Sequence, residues 1–258
     1  MSVAVWVIPC FNEEKRLDRT RVAAFASDPR VSLVLVDDGS RDGTRAVLEE
    51  VSAAVPGKID VLTLPNNRGK GEAVRAGLLH ALERGARMVG YADADLSTPP
   101  DELLRLQDEL EAADLDLVLA SRVLMVGRRI ERKATRHYLG RVFATFAANI
   151  LRTGFYDTQC GAKLMRDSAA LRLALATPFI SRWAFDVELL GRLLTGDRDV
   201  PGIPVERMRE VPIEEWIDKP GSKVDFRGMS ASLVDLGRIE LDLRARRKRS
   251  LPARPTKP

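Results

Sequence analysis

Two aspartates separated by one small residue follow an apolar run in the first half of the chain. Asp93, Ala94 and Asp95 come directly after the strand-like residues 87–92. Once a strand ends and the chain bends, carboxylates at positions i and i+2 can converge on one cation. Hard oxygen ligands suit Mg²⁺ or Mn²⁺, which proteins commonly share with substrate phosphates. The spacing therefore predicts a divalent-metal site at Asp93 and Asp95.

A second acidic pair, Asp37 and Asp38, ends the apolar run at residues 33–36 and precedes Gly39. Two carboxylates at a strand end can accept hydrogen bonds from a base N–H and from ribose hydroxyls. The alternative interpretation is structural, with Asp37 satisfying the turn and Asp42 capping the next helix. The sequence alone leaves both interpretations open.

Two familiar phosphate-binding motifs are absent. Residues 9–14, after the first apolar run, contain no glycine, whereas a dinucleotide-binding turn needs closely spaced glycines so that a pyrophosphate can approach the backbone. Gly69, Lys70 and Gly71 lack the upstream glycine and the following Ser or Thr of a P-loop. The sequence therefore disfavours dehydrogenases and P-loop NTPases.

Short apolar runs alternate with helical patterns, which predicts an α/β fold: a doubly wound, mostly parallel sheet with helices on both faces. We expect strands at residues 3–8, 33–36, 59–64, 87–92, 115–120, 161–166 and 205–216. We expect helices at residues 13–26, 43–54, 71–84, 100–113, 134–152, 184–195 and 229–247. Ser97 or Thr98 is the expected cap of the fourth helix. Ligands of such sheets bind at the carboxyl ends of the strands.

The 258 residues predict one domain over 1–248, with a nucleotide-binding half to about residue 121, an acceptor half from 122, and a disordered basic tail at 249–258. Two cysteines and two histidines exclude a disulfide framework and a His-rich metal site. The net charge of +4 is uneven, because residues 122–141 carry seven basic side chains against one acid and residues 244–258 carry seven against none. This pattern favours specific anionic partners over nucleic acid. No apolar run is long enough to span a membrane, and we expect neither a signal peptide nor a transmembrane segment.

These motifs together resemble the family 2 glycosyltransferases of the GT-A fold. The similarity lies in Val7-Ile8-Pro9 with Asn12-Glu13, in residues 36–44, in residues 67–71 and in Asp93-Ala94-Asp95. The resemblance implies that the early motifs hold a nucleotide-sugar and that the two aspartates hold Mg²⁺ or Mn²⁺ on its diphosphate. The implied nucleotide-sugar residues are Pro9, Phe11, Glu13, Asp37, Asp38, Gly39, Lys70, Asp93 and Ala94.

The second half resembles dolichyl-phosphate glucosyltransferases, with dolichol-phosphate mannose synthases next. Its motifs are residues 120–122, 157–164, 182–190 and 221–224. The eukaryotic glucosyltransferases carry an N-terminal membrane anchor, and we expect none in this chain. Residues 96–100 are closer to the mannose synthases, which have a Gln at the Ser97 position, so the donor sugar stays open and Ser97 is a weak third metal ligand.

Several acceptor-side residues are ambiguous. Asp157 is expected to act as a base or a positioning group, and Asp157, Asp95 and Arg122 are the expected catalytic residues; alternatively, Asp157 caps a turn. Arg122, Arg128 and Arg136 are candidates for the acceptor phosphate, since a guanidinium grips phosphate bidentately. We expect only one of Asp186 and Glu188 to face the site, with Asp186 alternatively paired to an arginine. Cys160 is expected to be small and buried.

The resulting prediction is an inverting enzyme that moves a hexose, most simply glucose from UDP-glucose, to a polyprenyl phosphate. It would lie in the cytoplasm, peripheral to an anionic membrane surface reached through the basic segments. The alternatives are a GDP-mannose donor, a soluble hydroxyl acceptor, or a non-catalytic nucleotide-sugar-binding protein. The sequence does not indicate the oligomeric state.

Overall fold

The computed structural model describes residues 3–131, 134–217 and 226–250, apart from the side chains of 131–142 and 217–233. The strands are β1 Ala4–Cys10, β2 Val31–Asp37, β3 Ile59–Thr63, β4 Met88–Tyr91, β5 Leu117–Ser121, β6 Arg129–Glu131, β7 Lys163–Arg166, β8 Met208–Pro212 and β9 Glu215–Ile217. The helices are α1 Arg19–Ala26, α2 Thr44–Ala54, α3 Lys70–Glu83, α4 Pro100–Ala112, α5 Ala134–Leu151, α6 Ala169–Leu175, α7 Phe185–Thr195 and α8 Phe226–Ser250.

The main sheet has seven strands in the order β3-β2-β1-β4-β7-β5-β8. All neighbouring strands are parallel except β7, which runs antiparallel between β4 and β5. Because β7 is antiparallel to both β4 and β5, these two strands run in the same direction. The carboxyl ends of β1, β2, β4 and β5 therefore lie along one edge of the sheet, which we call the carboxyl edge.

Helices cover both faces because the central strands are apolar on both sides. In β1, Trp6 and Ile8 pack into one hydrophobic cluster, and Val7 packs into the cluster on the other face. All three side chains are fully buried. Alternate strand residues point to opposite faces, so a nearly continuous apolar strand requires cover on both.

The predicted fold class is confirmed, and the element boundaries differ in a few places. The first helix begins at Arg19, because the Asp18 side chain caps it and the backbone N–H groups of Arg16 and Leu17 turn back to the Glu13 carbonyl. Neither Ser97 nor Thr98 caps α4; its N-cap is Pro99, which makes no side-chain hydrogen bond.

The second half is less regular than its pattern predicts. The expected strand at 205–216 is divided into a short 3-10 helix at Val205–Arg207 and the strands β8 and β9. Helix α6 was not predicted. Helix α8 continues to Ser250, so residues 249 and 250 of the predicted tail are helical, whereas residues 251–258 lie outside the described part of the chain. Among the described helices, none combines the length and apolarity that crossing a membrane requires.

Candidate active site

Asp93 and Asp95 lie in the turn that follows β4 at the carboxyl edge. The backbone N–H of Leu96 donates to the Asp93 carbonyl at 2.9 Å, and Leu96 adopts a left-handed φ of 48° that bends the chain. Asp95 accepts hydrogen bonds from the Ser97 backbone N–H at 2.9 Å and from its hydroxyl at 2.7 Å. Ser97 therefore orients the Asp95 carboxylate.

The donor set at this turn consists of the partly exposed carboxylates of Asp93 and Asp95. Among the side chains that the structure describes, no three His, Cys, Asp or Glu gather closely enough to hold a metal ion alone. Mg²⁺ and Mn²⁺ sites commonly use one or two carboxylates and complete the shell with substrate phosphates and water. The two aspartates fit an ion of that shared kind.

Lys70, the first residue of α3, forms an ion pair with Asp93. Its Nζ lies 2.5 Å from Oδ1 of Asp93 and 5.8 Å from the centre of the Phe185 ring. Burial lowers the pKa of Lys70, but the carboxylates of Asp93 and Asp186 outweigh burial and hold the pKa above its ordinary value. The site therefore keeps a charged ammonium beside the Asp93 carboxylate.

The Asp38 carboxylate anchors the loop that precedes Lys70. It accepts hydrogen bonds from the Asn67 side-chain amide at 2.9 Å and from the backbone N–H groups of Arg68 and Gly69, both at 2.8 Å. Burial raises the pKa of Asp38 against these hydrogen bonds. Asp38 was predicted to bind the nucleotide, but both of its carboxylate oxygens already accept hydrogen bonds from the 67–69 loop.

The structural interpretation of Asp37 and Asp42 also has support. Oδ1 of Asp37 accepts from the Ser40 backbone N–H at 2.9 Å, which closes the turn after β2. Oδ1 of Asp42 accepts from the Thr44 backbone N–H at 3.0 Å, but the N-cap of α2 is Gly43, so Asp42 supports the start of the helix from one residue before the cap. Gly39 has a φ of 65°, and a Cβ there would overlap the backbone of residue 66. Only glycine fits this turn without strain.

The loop after β1 is joined to the loop after β2. The Asn12 backbone N–H donates to the Ser40 hydroxyl at 3.0 Å, and the Glu13 backbone N–H donates to the Thr44 hydroxyl at 2.7 Å. Pro9 aligns with Val36 in the β1–β2 ladder. The segments that carry the predicted nucleotide-sugar residues therefore form one continuous wall at the carboxyl edge; these residues are Pro9, Phe11, Glu13, Asp37 and Gly39.

Arg16 links this wall to the turn after β4. Its guanidinium lies 3.6 Å from the Glu13 carboxylate and 4.0 Å from the Asp95 carboxylate. No motif in the sequence pointed to Arg16. Arg16 lies three residues after Glu13 in the turn that follows β1, and from there its guanidinium reaches the carboxylates of Glu13 and Asp95.

Arg182 holds the 67–69 loop from the opposite side. Its Nε donates to the Arg68 carbonyl and one Nη donates to the Asn67 carbonyl, both at 3.1 Å. Gly69 has a φ of 96°, and a Cβ there would press on the Arg182 side chain. The position of Arg182 within the 182–190 motif was the available signal for this contact.

A buried polar cluster lies beneath Lys70 and Asp93. Oδ1 of Asp186 accepts from the Lys163 ammonium at 2.5 Å and from the Tyr91 hydroxyl. Lys163 is completely buried and also donates to the Cys160 carbonyl at 2.9 Å. Burial, with the charge of Asp186, raises the pKa of Tyr91 well above its ordinary value. Asp186 is therefore held in a buried ion pair, as the structural alternative expected, but its partner is a lysine and not an arginine.

Glu188 faces away from that cluster, as expected for the second acid of α7. Its carboxylate accepts from Arg192 at 2.5 Å and from the Ile180 backbone N–H at 2.8 Å. Burial raises the pKa of Glu188, and burial lowers the pKa of Arg192. Arg192 also donates to the carbonyls of residues 174, 177 and 178, so this pair holds the loop between α6 and α7.

Arg122 and Asp157, expected to act separately on the acceptor, are paired with each other. Nε of Arg122 lies 2.7 Å from Oδ2 of Asp157, and Nη2 lies 2.9 Å from Oδ1. Burial lowers the pKa of Arg122, but the charge of Asp157 and its hydrogen bonds outweigh burial and raise that pKa above its ordinary value. The Trp216 ring lies 5.2 Å from the guanidinium, and Glu210 accepts from the Asp157 backbone N–H at 2.6 Å.

The turn that carries Asp157 also packs against Asp93. A Cβ at Gly161 would overlap the Asp93 carboxylate, so a larger residue here would displace that carboxylate. Cys160 is fully buried, as expected, and burial raises the pKa of its thiol to about 11. The turn therefore connects the Arg122–Asp157 pair to the Asp93–Asp95 turn.

The remaining phosphate candidates are only partly described. Nη1 of Arg128 donates to the Ile213 carbonyl at 3.0 Å. The side chain of Arg136, and residues 221–224 of the fourth second-half motif, lie outside the described part of the chain.

Comparison with known proteins identifies the family of the chain. The model of the family described as glycosyl transferase family 2 matches residues 5–173. The chain belongs to this family. It is 32% identical to a dolichyl-phosphate beta-glucosyltransferase of Trichomonas vaginalis over 93% of this chain and 71% of that protein. It is 33% identical to the mouse dolichyl-phosphate beta-glucosyltransferase over 84% and 68% of the two chains. A polyprenol monophosphomannose synthase of Mycolicibacterium smegmatis is 29% identical over 77% and 75%.

Solved structures of other proteins show the same fold. A glucosyl-3-phosphoglycerate synthase of Mycobacterium tuberculosis in complex with UDP superposes with a TM-score of 0.69 at 16% identity, covering 98% of this chain and 82% of that one. The same enzyme with Mn²⁺, UDP and phosphoglyceric acid gives a TM-score of 0.61 at 15% identity, covering 98% and 80%. The fold is thus GT-A, and the chain is a glycosyltransferase.

Proposed function

We propose that this glycosyltransferase moves glucose from UDP-glucose to a polyprenyl phosphate with inversion at the anomeric carbon. The observation that carries the proposal is the bidentate Arg122–Asp157 pair, which engages the acid expected to act as base. An acceptor phosphate is largely ionised at neutral pH and needs no strong base, whereas a hydroxyl acceptor does. The names of the dolichyl-phosphate relatives support the same acceptor class.

The donor would bind along the wall formed by the loops after β1 and β2. The 67–69 loop, held by Asp38 and Arg182, sets the position of Lys70 next to Asp93. In that position the Lys70 ammonium is suited to a diphosphate. Asp93 and Asp95 would hold Mg²⁺ or Mn²⁺, which when bound would neutralise charge on the leaving diphosphate. Ser97 keeps the Asp95 carboxylate oriented for this role.

On the acceptor side, Asp157 would position Arg122 and the turn at residues 157–161. The phosphate oxygen of the acceptor would attack the anomeric carbon directly, and UDP would leave from the opposite face. Arg122 and Arg128 are two described cations that would steer that phosphate. We propose that the enzyme works at the cytoplasmic surface of a membrane, where such acceptors lie.

Two other substrate choices have specific support. The mycobacterial polyprenol monophosphomannose synthase relative supports a mannose donor with the same acceptor class. The phosphoglyceric acid bound in a structural neighbour supports a soluble hydroxyl acceptor. A non-catalytic role is not retained, because the chain is a member of a transferase family.

A donor screen tests the proposal. UDP-glucose, UDP-galactose and GDP-mannose would each be offered with a prenyl phosphate, with Mn²⁺ or with chelator. We expect transfer from UDP-glucose that chelator abolishes and Mn²⁺ restores. Asp95→Asn should lower the rate at least ~10²-fold, because metal stabilisation of a leaving diphosphate contributes several kcal/mol. Full activity in chelator would contradict the metal role, and transfer from GDP-mannose alone would replace the donor.

A further inference from the structure

Three consecutive apolar side chains stand in solvent directly after the Arg122–Asp157 pair. Leu124 is 57% exposed, Met125 52% and Val126 106%, and we call these three residues the apolar tip. Large apolar side chains exposed singly are ordinary on a protein surface, but a contiguous group marks an interaction site. Among the described residues, no other three consecutive large apolar side chains are exposed to this extent.

The chain on both sides of the apolar tip is fixed. Arg122 is held by Asp157 before it, and the Arg129 backbone N–H donates to the Glu214 carbonyl at 2.8 Å after it. The Arg128 backbone N–H donates to the Met125 carbonyl at 3.2 Å, which closes a turn. A Cβ on Gly127 would meet no atom within 4 Å, so this turn stands clear of the rest of the described protein. The apolar tip is therefore presented on a fixed base.

The charge around the apolar tip favours an anionic surface. Arg128 and Arg129 follow it after Gly127, and residues 122–141 carry seven basic side chains against Glu131 alone. The Arg129 guanidinium is largely exposed, and Glu215 lies 3.7 Å from it. Apolar side chains flanked by arginines match the interface of a bilayer, where the apolar part enters the acyl boundary and the cations meet lipid phosphates.

The position of the apolar tip relates such a surface to the chemistry. The tip follows β5, whose carboxyl end lies on the same edge of the sheet as the Asp93–Asp95 turn. Arg122 pairs with Asp157, and Gly161 of the same turn packs against the Asp93 carboxylate, so the base of the tip and the metal-site turn are neighbours. A bilayer that received the tip would face the edge where a lipid phosphate must meet the donor.

We infer that the apolar tip inserts into the interfacial region of an anionic bilayer and docks the acceptor side of the enzyme on the membrane. This inference deepens the proposed function and rests on it, because a lipid-linked acceptor is the reason for the enzyme to dock on a membrane. It commits to a lipid surface, because the flanking charge is basic and the apolar side chains are few and contiguous.

The test compares two double variants. Leu124→Ser with Val126→Ser removes two side chains of the tip, and Val3→Ser with Val205→Ser removes two exposed apolar side chains that precede β1 and β8 at the opposite edge of the sheet. Each would be sedimented with vesicles of phosphatidylcholine and phosphatidylglycerol in equal parts. We expect the tip variant to lose at least ~10-fold in partitioning and the control less than about twofold. Equal partitioning of wild type and tip variant would overturn the inference.

A second measurement reads insertion directly. Met125→Trp should show a blue-shifted emission with these vesicles and quenching by brominated acyl chains, and an unshifted, unquenched emission would overturn the inference. The inference would also be overturned if the wild type were a dimer in solution, the tip variant were a monomer, and neither protein bound vesicles. The tip would then contact a second copy of the chain.

Turnover separates this inference from the proposed function. Glucosylation of a short, water-soluble prenyl phosphate without vesicles tests the function alone. If the wild type turns over this acceptor but the tip variant binds vesicles as well as the wild type does, the docking inference is wrong and the proposed function stands. Tip insertion without turnover of any prenyl phosphate would contradict the function and leave membrane docking supported.

Discussion

The guanidinium of Arg122 and the carboxylate of Asp157 meet edge to edge, with Nε–Oδ2 at 2.7 Å and Nη2–Oδ1 at 2.9 Å. The Arg122 backbone N–H also donates to Oδ2 at 3.0 Å, so three donors from one residue hold the acid. A carboxylate in a bidentate pair is a poor proton acceptor, because protonation would break the pair. This relationship favours Asp157 as a positioning residue.

Asp157→Asn therefore should reduce kcat without removing the acid limb of the pH–rate profile. We expect a loss of roughly 10- to 100-fold, as misplacement of an acceptor-binding group by about an ångström causes. The acid limb should persist because the acceptor phosphate itself, with a second pKa near ~6, still loses a proton. A profile measured with a prenyl phosphate checks this. If the acid limb disappears in the variant, Asp157 is the base.

Gly161→Ala should weaken metal binding. The added Cβ would overlap the Asp93 carboxylate, and Asp93 would have to move. We expect the Mn²⁺ dissociation constant in the presence of UDP, measured by electron paramagnetic resonance, to rise at least ~10-fold. Gly154→Ala is the matched control, since a Cβ there meets no atom within 4 Å. Equal Mn²⁺ affinity in both variants would show that Asp93 does not hold the ion.

Asp38→Ala should weaken UDP binding indirectly, by releasing the loop that positions Lys70. Three hydrogen bonds to a buried carboxylate would be lost, each worth roughly 1.5–3 kcal/mol for a charged group. We expect the calorimetric Kd for UDP to rise at least ~10-fold. Asp60→Ala, on β3 with His80 and Arg84 as partners, serves as the control. Unchanged affinity in Asp38→Ala would exclude this loop from donor binding.

Stability should fall above pH 8.5 in part through Cys160. Burial raises the pKa of the folded thiol to about 11, whereas an unfolded thiol ionises near ~8.5. The contribution to stability is complete below the unfolded pKa and is lost as the pH rises through the folded pKa, because the unfolded state releases its proton first.

Urea unfolding of wild type and Cys160→Ala at pH 8 and pH 10 measures this contribution. Between those values the wild type should lose roughly 2 kcal/mol more free energy of unfolding than the variant. The pH-independent cost of the smaller side chain cancels in the comparison. Equal losses in the two proteins would mean that the thiol is not shielded from solvent.

Local sequence was sufficient to predict much of the sheet and the edge where the motifs lie. The apolar runs ending at Asp37 and Tyr91 fix two strands and place their acidic motifs at one edge, because parallel strands share a carboxyl edge. The insertion of β7 between β4 and β5 was not predictable. Its four residues look like any short strand, and their antiparallel direction depends on where the chain arrives from.

The partners of the site residues were mostly not predictable. Asp157 lies 35 residues from Arg122, and Lys163 lies 23 residues from Asp186. The local sequence does not indicate these partners, and only the packing of β5, β7 and α7 brings the side chains together. Ser97 shows the same problem at short range. The sequence suggested that it caps α4, whereas its hydroxyl donates a hydrogen bond to the nearby Asp95.

A competition assay tests the central claim most directly. Radiolabelled UDP-glucose and Mn²⁺ would be supplied with equal concentrations of a short prenyl phosphate and of phosphoglyceric acid, and the label followed into lipid-extractable and water-soluble products. The proposed function predicts that the label enters the lipid fraction as an acid-labile glucosyl phosphate of inverted anomeric configuration. Label that accumulates in the water-soluble product in preference to the prenyl phosphate would contradict it and establish a soluble hydroxyl acceptor.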